Sequence, residues 1–235
     1  MNSIAQIRSK LRELSNPVIA AHSQRFFKTG PGEYGEGDVF LGIRVPVLRG
    51  LAKENRELTL PRIRSLLCSP IHEDRLLALL ILVLKFSKAD AANRQLIFDF
   101  YCKHMQFVNN WDLVDSSAHL IVGPHLAGRS RKLLHTWCKS ESLWVRRIAV
   151  MSTLHFIKRG EFDETLRIAQ ALLGDPQDLI HKAVGWMLRE IGNRNRSVEE
   201  AFLKEHYANM PRTMLRYAIE KFPAAQRKRY LTGQV

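Results

Sequence analysis

The chain has 235 residues, enough for one large domain or two small ones, and 46% of them are hydrophobic, which supports a packed core. Its 36 Lys and Arg exceed 23 Asp and Glu by 13, with a pI near 10.0, an excess that points to a polyanion: nucleic acid first, a membrane surface second. The basic residues are spread through the chain, which excludes a disordered basic tail as their source, although a merely solvated basic surface would have the same composition.

In chain order, Met1–Lys10 lacks the apolar core of a signal peptide. Asn16-Pro17 predicts a helix start, and that helix should end near Lys28. Gly30-Pro-Gly-Glu-Tyr-Gly-Glu-Gly-Asp38 follows. It contains GxGxxG, but no strand precedes it and no helix opens directly after it, so the dinucleotide-binding reading fails. A glycine-rich loop or short hairpin projecting from a helical body, at about residues 29–39, is expected instead. Thr59-Leu60-Pro61 predicts the next clear helix start. The apolar run Leu76–Leu84, closed by Arg75 and Lys85, is too short to span a bilayer and reads as a buried core helix. Gly160, Gly174 and Gly192 sit where helices should end, and Asp175-Pro176 where another should begin. Cys68, Cys102 and Cys138 show no CxxC pairing and read as reduced, buried residues of a cytoplasmic protein. The nine His show no HExxH or other metal-ligand spacing, and neither a P-loop nor GxSxG occurs, so no metal or organic cofactor is expected.

Helical periodicity dominates, and a repeat emerges when the helices are aligned. Ala78, Ala118, Ala149, Ala183 and Ala218 head apolar helical stretches at spacings of 40, 31, 34 and 35 residues, with room for a second helix in each interval. This predicts an all-α fold, an α-solenoid of HEAT-like two-helix repeats over residues 1–235 with a concave basic face, and a monomer by default. A plain helical bundle is the alternative.

Four stretches could carry chemistry. In Asn109-Asn110-Trp111-Asp112-Leu113-Val114-Asp115-Ser116, Trp111 and Asp115 lie four apart on one helical face. A carboxylate beside a flat π surface suits a cationic, planar ligand. A core Trp with an Asp at the positive end of a helix fits the same spacing, and spacing alone favours that plainer reading. Lys182, Trp186 and Arg189 share one face, Trp144 and Arg147 another beside Arg146, and Arg212 and Arg216 follow Pro211 on a third. Cations flanking aromatics suit a surface that grips phosphates, and so does a solvated stripe beside a core Trp.

The same stretches resemble the AlkD-like DNA alkylation repair family of HEAT-repeat DNA glycosylases. The matching motifs are Phe40-Leu-Gly-Ile-Arg-Val-Pro46, Trp111-Asp-Leu-Val-Asp115, Leu143-Trp-Val-Arg-Arg147 and Lys182-Ala-Val-Gly-Trp-Met-Leu-Arg-Glu190, in order from about residue 40 to 190. The resemblance implies double-stranded DNA as partner and excision of positively charged N3- and N7-alkylated purines. It implies Asp115 as the catalytic carboxylate, stabilising an oxocarbenium-like sugar and positioning water, Trp111 and Trp186 against the lesion deoxyribose, and Arg147 and Arg189 on the backbone. Asn110 stands where an aromatic can occur in the family, and the Gly30–Asp38 segment looks inserted relative to its simplest members. Relatives with a projecting hairpin bind branched DNA with little excision, which motivates a non-catalytic DNA binder as the second hypothesis. A scaffold for acidic peptides is the third.

Overall fold

The computed structural model describes residues 3–235; residues 1 and 2 of the Met1–Lys10 segment lie outside it. The described residues form sixteen α-helices and no β-sheet, as the periodicity predicts. By its contacts the chain divides into two compact units, 1–121 and 122–235.

The first unit contains α1 (Ile4–Glu13), α2 (Pro17–Phe26), α3 (Val45–Glu54), α4 (Leu60–Leu67), α5 (His72–Lys88), α6 (Ala91–Lys103) and α7 (Trp111–Asp115). It also holds the start of α8 (Ala118–Leu126), whose interior Pro124 has no N–H to return to the preceding turn. Local chemistry sets the starts. Ser3 and Gln6 form a capping box for α1, and Asn16 caps α2 by accepting from Ile19 N–H at 3.0 Å with Pro17 at the first helical position.

The axis of this unit is α5, with α3 and α4 packed against it and α6 and α7 beside it. Leu77, Ala78, Leu79, Ile81 and Leu82 are fully buried, each large aliphatic contributing roughly 1.5–3 kcal/mol. The predicted core run is therefore the centre of a 17-residue helix. Its first turn is unusual: His72, Glu73, Asp74 and Arg75 are all buried too. Glu73 accepts the N–H groups of Leu41, Gly42 and Ile43 at 2.9, 2.7 and 3.2 Å, which fixes the chain entering α3. Helix α2, by contrast, buries none of its side chains, and Val18 and Phe26 are 78% and 57% exposed.

The second unit contains α9 (Lys132–Trp137), α10 (Leu143–Ser152), α11 (Leu154–Ile157), α12 (Asp163–Ala171), α13 (Asp178–Gly192), α14 (Arg196–His206), α15 (Arg212–Ala218) and α16 (Ala224–Thr232). Helix α13 is its centre, contacting α10, α11, α12, α14 and α15. The helix expected from Asp175-Pro176 starts two residues past the proline. Gln177 is its N-cap, and Asp175 Oδ1 accepts Gln177 N–H at 2.9 Å as a turn ahead of the helix.

All five alanines of the repeat are fully buried, on α5, α8, α10, α13 and α15. The cysteines differ from expectation in part: all are free thiols, but only Cys138 is buried, while Cys68 and Cys102 are half-buried.

Candidate functional site

In the first unit the candidate residues gather on α7. Asn110, fully buried, accepts Trp111 N–H at 2.8 Å with its Oδ1 and donates its Nδ2 to Asp38 Oδ2 at 3.1 Å. The Trp111 ring stacks on Phe27, with centroids 5.0 Å apart and planes 13° apart, and meets the edge of Phe26 at 5.8 Å. Phe27 in turn stacks on Phe40 at 4.9 Å. Trp111 is half-buried, so its other surface is partly open while its orientation is held by the aromatic layer.

About one helical turn of α7 carries the chain to Asp115, also half-buried, on the wall of a cavity of about 400 Å³. Arg49 and Lys53 of α3, Leu80 and Val83 of α5, and His119 of α8 line the rest. A second cavity, of about 310 Å³, is lined by Arg56, Leu60, Lys88 and Leu96 and contains none of the candidate residues.

A third polar or aromatic member of α7, Asp112, makes a short contact to α5. Its Oδ2 lies 2.8 Å from His72 Nε2, while His72 Nδ1 lies 3.1 Å from Asp38 Oδ2. Asp38 also accepts from Arg75 Nη2 at 2.5 Å, and Arg75 Nη1 donates to the Ser69 carbonyl at 3.0 Å. Burial pushes the His72 pKa down, but the Asp112 charge and the hydrogen bonds to Asp112 and Asp38 outweigh it and raise the pKa to about 9. Asp38 moves the other way: burial works to raise it, while His72, Arg75 and Asn110 together hold it below the ordinary carboxylate range.

Asp38 closes the glycine-rich segment. That segment is a run of turns with no strand in it, and it folds back onto the unit. Gly35 is buried, and a Cβ there would sit 2.4 Å from the Phe27 carbonyl oxygen and 3.4 Å from Asn110 Nδ2, so only glycine fits without a shift. Val39 then forms an isolated bridge with Ile71, just before His72.

In the second unit, α13 carries Lys182, Trp186 and Arg189, all half-buried, while Ala183, Val184, Met187 and Leu188 face the core. Trp186 Nε1 donates to Glu190 Oε1 at 3.3 Å, Lys182 pairs with Asp178 at 2.8 Å, and Arg189 pairs with Glu220. On α10, Arg146 forks onto Asp175 at 2.6 and 3.3 Å and donates to the Ser140 and Glu141 carbonyls, each at 2.8 Å. Arg147 is 4% exposed and donates to the Leu179 carbonyl at the start of α13. Arg212 donates to the Leu231 carbonyl at 2.7 Å, and Arg212 and Arg216 are exposed on α15.

Pattern reasoning on the sequence passed over Asp38, His72, Asp112 and the cavity residues Arg49, Lys53 and His119. One signal was present: four charged or polar residues, His72-Glu-Asp-Arg75, opening an otherwise apolar core helix. Among the described residues no group of three or more His, Cys, Asp or Glu is placed to hold a metal, and no helix is long and apolar enough to cross a membrane.

An all-α chain with a carboxylate and a held Trp on one short helix, and with Lys and Arg side chains on α10, α13 and α15, is of a recognisable class. The chain belongs to the DNA alkylation repair enzyme family, whose model matches residues 7–222, a span that includes the glycine-rich segment. It is similar in fold to a solved structure described as a predicted DNA alkylation repair enzyme from Enterococcus faecalis, with a TM-score of 0.69 and 20% identity over 89% of this chain and 97% of that one. No curated protein matches the chain in sequence.

Proposed function

We propose that this repair enzyme is a DNA glycosylase that removes positively charged N3- and N7-alkylated purines from duplex DNA. The observation that carries the reading is the Trp111–Asp115 pair: a half-buried carboxylate at a cavity wall, four residues from a ring locked face-on against Phe27. A cationic alkylpurine is already a good leaving group. As its bond to C1′ breaks, the bonding electrons go to the purine, which departs neutral, and positive charge collects on the sugar. A fixed carboxylate at that point stabilises the developing cation more than the ground state, which lowers the barrier. Water then adds to C1′ and gives up a proton, leaving an abasic site.

In this reading Asp115 is the catalytic carboxylate, and Trp111 and Trp186 pack against the lesion sugar. Arg189, Lys182, Arg212 and Arg216 bind phosphates. Arg146 and Arg147, engaged with Asp175 and the Leu179 carbonyl, contribute by holding α10 and the start of α13 as well as by their charge. The protein works on DNA as a cytoplasmic monomer, without a metal or organic cofactor.

The test is release of free methylated purine from methylated duplex, wild type beside Asp115→Asn. Wild type should release base, and the variant should lose about 10²–10³-fold in rate while keeping its duplex affinity. No release by wild type, with DNA still bound, would replace this reading with that of a non-excising binder of damaged or branched DNA.

A further inference from the structure

The chain Asp38–His72–Asp112 joins three parts of the first unit that are distant in sequence: the end of the glycine-rich segment, the first turn of α5, and α7. His72 is 2% exposed and both of its ring nitrogens face carboxylate oxygens. A neutral imidazole can donate to only one of them; the imidazolium donates to both. With Arg75 on Asp38, two cations and two carboxylates balance within the cluster, so a buried group of charges is held without net charge. The ring faces are occupied as well: Phe40 stacks on His72 at 4.4 Å, and Phe27 lies tilted against it at 5.1 Å. Phe27 is also the ring on which Trp111 stacks.

We infer that Asp38, His72 and Asp112 form a charged clamp that fixes α7 against the glycine-rich segment, making His72 and Asp38 positioning residues for Trp111 and Asp115. This deepens the glycosylase reading and rests on it for its catalytic readout. Helix α7 has only five residues, too few to hold its own geometry, and its two candidate site residues are its first and last. Asn110 ties the N-cap to Asp38, and Asp112 ties the first turn to His72. Both ties end on residues that pattern reasoning would place in a separate projecting element or a hydrophobic core. The glycine-rich segment is thereby part of the excision apparatus, not an independent recognition device for branched DNA.

The groups facing His72 are Asp38, Asp112 and Arg75, with Phe27 and Phe40 on its ring faces. Raised to about 9, the His72 pKa keeps the clamp closed across neutral pH and opens it above that value.

The experiment uses the full chain and two substitutions, His72→Gln and Asp112→Asn, with three readouts. Single-turnover release of 3-methyladenine should fall by about 10–100-fold while duplex affinity changes less than about threefold, because misplacing a catalytic group costs rate before binding. The wild-type rate should decline as pH rises through 9, and that decline should vanish in His72→Gln. Independently of activity, NMR of the imidazole should show both His72 ring N–H protons up to pH 9 in wild type and loss of that state in Asp112→Asn. If wild type releases no base, the glycosylase reading fails while the NMR readout still decides the clamp. A His72 titrating near 6.5 overturns the clamp. So does an unchanged release rate in a folded variant. If His72→Gln does not fold, the more peripheral Asp112→Asn carries the test alone.

Discussion

Gly185 lies in the middle of α13, one residue before Trp186, where α15 crosses closely. A Cβ at this position would stand 2.5 Å from the Met214 carbonyl oxygen and 2.5 Å from Tyr217 Cβ. Ordinary contact begins at 3.4 Å, so α15 would have to move by about 1 Å. Neither neighbour is a flexible side-chain end that could swing aside. Overpacking of this kind costs about 1–3 kcal/mol. Against it stands the relief of placing alanine in a helix interior, roughly 0.5–1 kcal/mol. The clash wins, and Gly185→Ala should lose on the order of 1 kcal/mol, the difference between the middles of the two ranges. Gly50 is the matched control: it is an exposed position within α3 with nothing inside 4 Å of its would-be Cβ, so Gly50→Ala should gain about 0.5–1 kcal/mol. Urea unfolding of both variants beside wild type reads the two signs. A Gly185→Ala protein as stable as wild type would refute the reasoning, because it would mean that the helices separate at no cost.

Glu199 offers a stability test by pH. It is 1% exposed, its Oε1 has no hydrogen-bond partner, and burial, only partly opposed by Arg196, raises its pKa from 4.5 to about 8. The stability tied to its protonated form is fully present below pH 4.5 and is lost as pH rises through 8. Glu199→Gln should therefore match wild type near pH 4.5 and exceed it at pH 8.5, by a few kcal/mol at most, on the order set by the shift; parallel Tm curves for the two proteins would contradict this. For DNA, the affinity of the wild type for duplex should fall steeply with salt, by about 10³–10⁵ between 50 and 200 mM if it contacts six to ten phosphates. A slope near zero would instead favour a scaffold for acidic peptides.

The helices were legible because they follow from local pattern. The 3.6-residue period and the Asn16-Pro17 start are written in short windows, and the five aligned alanines are fully buried. The Trp111-to-Asp115 helix was legible for the same reason. What local pattern could not supply was the support of that helix. His72 meets Asp38 across 34 positions and Asp112 across 40, while Asn110 meets Asp38 across 72. Pairings at such separations leave no period to read. The glycine-rich segment is the expected loop, but its inward packing was not legible, for a related reason. Turn residues advertise a loop, but only the close approach of Gly35 to the Phe27 carbonyl and the buried Asp38 show that it folds inward. Likewise no local pattern shows that Arg147 is buried against the Leu179 carbonyl, a contact 32 residues away.

Helix α2 has ten residues and buries none of its side chains, which is shorter than the roughly 12–15 residues an isolated helix needs in water. What keeps it in place is its ends: the Asn16 cap, the bond from Asn16 N–H to the Leu41 carbonyl at 2.8 Å, and Phe27 just beyond its last turn. Its amides should therefore exchange with solvent through a small local opening that leaves α5 untouched, giving the first unit a fast-exchanging segment beside a protected one. A ligand that covers Val18 and Phe26 would suppress that opening before it altered any other amide. Hydrogen exchange across residues 17–26 is thus a built-in reporter of occupancy next to Trp111, one that responds to binding whether or not a base is ever released.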